Sequence, residues 1–450
     1  MSDALLASTA RRAEAITAAA QAHGRLPSLA SAVVRGGEVV WTDARGAVAS
    51  EDGALRPGAD VQYRIGSISK TFTAVLVMQL VAEGVVDLAD AVSTHVADAP
   101  LGDATVRGLL SHAAGLPAEP VGSWWERSAG SAWDVLAAGN ASAHRVLPVG
   151  QQYHYSNLAY GVLGRLVEVH RGAPWSTVLD ERVLRPLGLT RTTYAPTAPH
   201  ADGFGVEDLT GLLVREPHQD TGAMAPAGQL WSTTTDVARW LAFLADPDSV
   251  VLDADGVAAM TRAQSVDPDD PRGGSYGLGL RLSGQPPHVL VGHTGSMPGF
   301  VCGAFVDPAT GVGAVCLSNG GSGLDAEGLP RALVDLVREL EPPLPEPWTP
   351  TSHVDDDVRA LLGTWYWGQA AAVMRVEGSG LRLASPGGRA FTFERTGPDT
   401  WRGTSGYQSG ETLRVVRRAD GAVSHLDVGT FAYTRTPYDP DVPHPGRGWR

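Results

Sequence analysis

Lysine is almost absent from this chain: of its 35 basic residues, 34 are arginine and one is lysine, Lys70. Cysteine is nearly as scarce, with only Cys302 and Cys316, which agrees with a reducing compartment rather than a disulfide-built scaffold. The two flank the turn Asp307-Pro-Ala-Thr-Gly311, where paired strands would bring them near each other, and they read as two buried free thiols. An excess of positive charge is missing too. Forty-nine acids outweigh the bases, for a formal charge of −14, and without a basic face there is nothing to hold a phosphate backbone, so no nucleic-acid partner is expected. No uncharged apolar run approaches the ~18 residues of a membrane span, so no membrane partner is expected either. Metal-ligand spacing is lacking: the 13 histidines are scattered, and neither H-E-x-x-H nor paired C-x-x-C occurs. No metal or other cofactor is expected.

What remains is 450 residues, 43% apolar and 19% charged, enough for two or three cores at roughly 150 residues each. The first residues, MSDALLASTARRAEAITAAAQ, carry Asp3 where a signal peptide would be basic, and Arg11 and Arg12 interrupt the apolar positions. They read as an Ala-rich amphipathic helix, and the expected location is cytoplasmic. The clearest boundary is Glu341-Pro-Pro-Leu-Pro-Glu-Pro-Trp-Thr-Pro350, which cannot continue the helix-like RALVDLVREL before it. Upstream, ASAVVRGGEVVWTDARG and HVLVGHTGSMPGFVCGAFVD alternate like strands, the first with a Gly-Gly turn. KTFTAVLVMQLVAEG, NLAYGVLGRLVEVH and TTTDVARWLAFLA have helical periodicity. Downstream, short β-type runs are separated by EGSG, SPGG, TGPD and RADG, the pattern of a small antiparallel barrel or sandwich. The expected domains are therefore residues 1–344, mixed α and β, and residues 345–450, all β.

Lys70 lies in Gly66-Ser-Ile-Ser-Lys-Thr-Phe-Thr73, directly before an apolar helical run. A helix starting near Ser67 puts Ser67 and Lys70 on one face of its first turn. The positive helix end and burial both disfavour an ammonium there. An amine of ordinary pKa ~10.4 then becomes neutral enough to take a proton from a serine hydroxyl, which arginine cannot do. Two further motifs follow in order. Tyr155-Ser-Asn157 stands where S-D-N, and His293-Thr-Gly295 where K-T-G, complete the S-x-x-K signature of penicillin-recognising serine enzymes.

With these motifs the chain resembles the class C β-lactamase-like serine hydrolases, relatives of the penicillin-binding proteins. The resemblance runs over most of residues 25–340 and includes LLSHAAGLP, PVGQQYHYSNLAYGVLG, RPLGLTRT, PAGQLWSTTTDVARW, SYGLGL and VGHTGSMPGF. It implies an α+β fold, the β-lactamase/transpeptidase type, in which an antiparallel sheet with flanking helices meets a helical lobe at the active site. It also implies that the trailing β domain is a lipocalin-like barrel.

By the same resemblance Ser67 is the nucleophile that forms an acyl-enzyme, and Lys70 and Tyr155 share the proton transfers. Asn157 orients the Lys70 amine or a substrate amide. The backbone N–H groups of Ser67 and Ser296 form the oxyanion hole, and Thr294 and Gly295 border the substrate. His293 replaces the family's usual lysine; a neutral imidazole hydrogen-bonds Tyr155 but recognises a β-lactam carboxylate less well than a fixed cation. Two substrate classes stay open. One is hydrolysis, by a cytosolic D-aminopeptidase or amidase or a β-lactamase-like carboxylesterase. The other, which is favoured, resembles the stand-alone penicillin-binding-protein-type thioesterases: they take a nonribosomal peptide from a carrier-protein phosphopantetheine thioester and release it as a head-to-tail macrolactam. Trp124, Trp125 and Trp133 are candidates to roof and dry the pocket. Arg447 or Arg450, in the basic aromatic tail, is a candidate to hold a substrate carboxylate.

Overall fold

The computed structural model describes residues 4–48, 57–150, 152–268, 274–284, 288–344, 347–440 and 442. The chain divides into two compact units, Met1–Leu344 and Pro345–Arg450.

The first unit is built on an eight-stranded antiparallel sheet. Its order is Glu38–Gly46, Ser28–Arg35, Val312–Ser318, Phe300–Asp307, Leu290–Met297, Arg281–Ser283, Ser275–Tyr276 and Ser265–Val266. The hairpin read from ASAVVRGGEVVWTDARG is present, and Gly36 and Gly37 supply the two positive φ angles of its turn. Alternation along the central strands feeds two different cores. Leu29, Val33, Phe305, Ala314 and Cys316 meet the helices Ala7–His23 and Gly328–Leu340 on one side. Ala30, Val34, Cys302, Ala304, Val315 and Leu317 face the helices Thr234–Ala245 and Ser69–Ala82 on the other. The two cysteines are therefore free, buried and on opposite faces. The register pairs Cys302 with Leu317 and Gly303 with Cys316, and this one-residue offset reverses the direction of the side chain.

Helix Ser69–Ala82 buries every residue from 69 to 80. It is apolar all round, so it runs through the core rather than over it, and it carries Lys70 inside. Its α-helical hydrogen bonding starts at Ser69, after a single 3₁₀ turn at Gly66–Ile68. Helix Asn157–Arg171 packs against it, and the Ser156 hydroxyl caps this second helix by accepting the Ala159 N–H at 3.1 Å.

In the second unit eight antiparallel strands, from Gly363–Trp367 to Phe431–Thr434, close into a barrel. EGSG, SPGG, TGPD and RADG each join consecutive strands. Trp365, Met374, Leu381, Phe393, Trp401, Leu413, Leu426 and Tyr433 alternate inward to form one buried cluster. The tail candidates Arg447 and Arg450 lie outside the described residues. Among the described residues no helix is long and apolar enough to cross a membrane, and no three His, Cys, Asp or Glu side chains group as metal ligands.

Candidate active site

The three motifs, 85 residues and more apart in sequence, converge on one cleft. Strand Leu290–Met297 runs directly against Ile65 and Gly66. A Cβ on Gly295 would stand 2.0 Å from the Ile65 carbonyl oxygen, and one on Gly66 would stand 2.6 Å from the Ser296 nitrogen. Both positions need glycine for that approach, and Gly66 needs it again for its φ of +52°. The peptide groups of Ser67 and Ser296 are neighbours as a result. Ser67, Tyr155, His293, Thr294, Gly295 and Ser296 line a cavity of about 330 Å³ together with Tyr153, Tyr276, Arg281, Val301 and Ala326. A larger cavity of about 430 Å³, walled by Trp133, Arg165, Tyr194 and Asp220 among others, holds none of the motif residues.

Lys70 lies beneath Ser67, fully buried. Its Nζ is 2.9 Å from Ser67 Oγ, 2.7 Å from Asn157 Oδ1 and 2.7 Å from the Ala227 carbonyl oxygen. Two of those three partners can only accept. A neutral amine has two N–H donors and one lone pair; with the donors committed to Asn157 and Ala227, the lone pair is left for the Ser67 hydroxyl proton. Burial lowers the Lys70 pKa to about 7, against the opposing pull of Glu119 and Glu126.

Tyr155 sets its ring 4.9 Å from Lys70 Nζ. Burial raises its pKa well above the ordinary phenol value, and the nearby Ser67 hydroxyl only partly offsets this. Its oxygen makes no well-formed hydrogen bond among the described residues. It is thus a protonated phenol facing the cleft, a donor rather than a base. Asn157 donates through Nδ2 to Glu119 Oε1 at 2.7 Å, which turns its oxygen toward Lys70.

His293 differs from expectation. Its Nε2 lies 2.8 Å from the hydroxyl of Tyr276, not Tyr155, whose ring centroid is 6.1 Å from its own. Its Nδ1 meets the Thr294 carbonyl. A carbonyl only accepts, so the proton sits on Nδ1 and Tyr276 donates to Nε2. Burial, helped by the Lys70 charge, pushes the His293 pKa down to about 3, so the imidazole is neutral at physiological pH. The charged group in the cavity wall is instead Arg281, whose Nε donates to buried Glu327 at 2.6 Å.

The tryptophan candidates lie outside that wall. Trp124 is 61% exposed, stacked on Arg127 and bonded to Glu126. Trp125 is buried and donates to Glu119 Oε2 at 2.7 Å. Trp133 lines the larger cavity and donates to Asp98. Each indole N–H takes a carboxylate partner, and for buried Trp125 that partner satisfies a donor that water cannot reach.

Sequence reasoning missed Glu119, Arg281 and Tyr276, although Tyr276 lies within SYGLGL and Glu119 directly follows LLSHAAGLPA. It also missed His112. That buried ring lies 4.3 to 5.8 Å from the rings of Tyr153, Tyr155, Tyr160 and Tyr276, and its Nδ1 accepts the Ser156 N–H.

Residues 13–338 match the family model described as Beta-lactamase. The chain belongs to the beta-lactamase family. Residues 354–435 match a second model, a domain of unknown function (DUF7586). The D-alanyl-D-alanine-carboxypeptidase/endopeptidase AmpH of Escherichia coli K12 is 29% identical over 42% of this chain and 50% of its own length. Protein flp of Staphylococcus aureus is 24% identical over 70% of this chain and 64% of its own length. The chain thus spans about half to two-thirds of these curated relatives. Among solved structures, SurE matches with a TM-score of 0.61 at 25% identity over 95% of this chain and 99% of that one; it has also been solved with D-Leu. The D-amino acid amidase of Ochrobactrum anthropi SV3, solved with D-phenylalanine, shares the fold with a TM-score of 0.64 at 24% identity, over 74% of this chain and 98% of that one.

Proposed function

We propose that this serine hydrolase family member transfers a peptidyl group through an ester on Ser67, and that its reaction is release of a nonribosomal peptide as a head-to-tail macrolactam. The observation that carries the acyl-transfer reading is the pairing of Lys70, with two acceptor-only partners and a lone pair left for Ser67. Ser67 Oγ attacks the carbonyl carbon of a peptidyl thioester while Lys70 takes its proton, and the backbone N–H groups of Ser67 and Ser296 hold the oxyanion. The C–S bond breaks, Tyr155 delivers its proton to the leaving thiolate, and the proton that Lys70 took from Ser67 passes on to Tyr155, so that both groups return to their starting states. The peptide's own amine then attacks the Ser67 ester, the proton it loses returns to Ser67 Oγ, and a lactam leaves.

Three observations favour a peptidyl substrate over a β-lactam. His293 is neutral where a fixed cation would hold the β-lactam carboxylate, and Arg281 is tied to Glu327. The cavity wall carries three tyrosines and Val301, apolar surface suited to a peptide and to excluding water. SurE and the amidase were both solved with a D-amino acid, which supports a D-residue at the acyl position. A carrier-protein phosphopantetheine thioester is the proposed donor.

The test is a peptidyl thioester mimic with a C-terminal D-residue, followed by mass spectrometry. A product one water lighter than the linear acid is expected. Linear acid alone would replace cyclisation by hydrolysis, of the D-aminopeptidase, amidase or carboxylesterase kind. No adduct on Ser67 would overturn acyl transfer.

A further inference from the structure

Glu119 reaches the reacting serine only through others. Its Oε1 accepts from Asn157 Nδ2 at 2.7 Å and its Oε2 from Trp125 Nε1 at 2.7 Å. Asn157 Oδ1 in turn accepts from Lys70 Nζ. An asparagine side chain presents an acceptor or a donor to a neighbour depending on how the amide is turned. Turned the other way, Asn157 would point its NH₂ at Lys70 and donate into the lone pair that Ser67 needs. What holds it in the observed orientation is an acceptor on its far side.

Only a carboxylate fits the place of Glu119. Two donors converge there, the Asn157 NH₂ and the Trp125 N–H, and a carboxylate accepts from both. A glutamine has one acceptor oxygen and would set its own NH₂ against one of them. We infer that Glu119 is a positioning residue for the acylation step: it locks the Asn157 amide so that the Lys70 lone pair faces Ser67, and its charge sets how readily Lys70 gives up its proton. This rests on the acyl-enzyme reading proposed above.

The second part of the inference follows from what surrounds the amine. Lys70 is faced by Glu119 and Glu126 from the segment after Pro117, and by the phenols of Tyr155 and Tyr160 from the Asn157 helix and its cap. His112 and His293 lie on its other sides, and burial keeps both neutral. The only charges acting on Lys70 among these are two carboxylates, of which Glu119 has the stronger effect.

Because the chain has a single lysine, ¹³Cε-lysine labelling of the full chain gives one NMR resonance, and its titration reports Lys70 without any substrate. In Glu119→Gln the midpoint should fall by roughly half to one pH unit, because a charge that favours the ammonium is removed. The rate of Ser67 acylation by a thioester should fall about 10- to 100-fold, the usual loss when an outer-shell orienting partner is removed. The double variant Glu119→Gln/Trp125→Phe lacks the competing indole donor, so the glutamine oxygen is free for Asn157. It should regain at least about tenfold in acylation rate while keeping the lowered midpoint.

An unchanged lysine midpoint in Glu119→Gln would overturn the charge role. A double variant as slow as Glu119→Gln would overturn the orienting role and leave a merely structural one. Failure of the acyl-enzyme reading looks different: the wild-type lysine would titrate near 7 with no Ser67 adduct in any variant, and the orienting role would fall with it.

Discussion

Lys70 is a buried amine that costs stability, and in the proposed reaction it is the base. Lys70→Arg keeps the charge and fills the space but supplies no base, so Ser67 acylation, followed as an adduct by mass spectrometry, should slow by at least about 10³-fold. Because the base must be unprotonated, kcat/KM should fall about tenfold per pH unit below an apparent pKa near 7, the value to which burial lowers Lys70. The sign for stability follows from the same shift. Folded Lys70 releases its proton near 7 and unfolded lysine only near ~10.4, so the unfolded chain binds more protons between the two and stability rises with pH across that window. Lys70→Met removes the effect. Its stability relative to wild type, measured by urea unfolding, should therefore decline by roughly 3 kcal/mol from pH 7 to pH 10. Lys70 was legible because a removable proton is a property of residue type. The Tyr276 partner of His293 and the carboxylate behind Asn157 were not, because nothing in the local sequence states which of several tyrosines or acids the fold brings near.

At the scale of elements the site depends on a close crossing between two backbones. The turn at Gly66 and the strand through Gly295 approach so nearly that neither position has room for a Cβ. Gly295→Ala forces the Ile65 carbonyl and the strand apart. It should lower stability by at least about 1–3 kcal/mol and cut acylation by about 10²-fold or more, since one donor moves away from the oxyanion. Thermal unfolding and burst kinetics on one preparation check both. Hairpins and helices were largely readable, because Gly-Gly turns and apolar periodicity act within a few residues. Tyr155-Ser156-Asn157 serves two purposes at once: Ser156 caps the helix and Asn157, one residue later, reaches Lys70. The two cysteines, by contrast, needed the register. A shift of one residue decides which sheet face each occupies, and local sequence does not carry it.

At the scale of the whole molecule, each unit has its own buried clusters, two in the first and one in the barrel. Scanning calorimetry of the full chain should therefore resolve two transitions. Trp365→Ala removes a fully buried ring from the barrel and should destabilise it by about 3–5 kcal/mol. One transition should move down while Ser67 acylation at 25 °C is unchanged; a shift of both transitions would show that the units unfold as one. The barrel shares with lipocalins the closure of eight antiparallel strands, around inward side chains that form one buried cluster.

The amino-acid sequence alone determined the residue types that the chemistry needs and their order: one lysine among arginines, a serine three residues before it, then Y-x-N and H-T-G. It also determined the hairpins, the helical runs and the change of character after Glu341, all of which act over a few residues. The tertiary structure decided how those groups face one another. It buried Lys70 and gave it two acceptor-only partners, turned Asn157 through Glu119, paired His293 with Tyr276 and kept it neutral, and left Trp124 and Trp125 outside the cleft. Each of these depends on hydrogen bonds and packing between segments tens to hundreds of residues apart. The single lysine that stands out in the composition can serve as the proposed base only because the fold takes it out of water and leaves its lone pair one proton to accept.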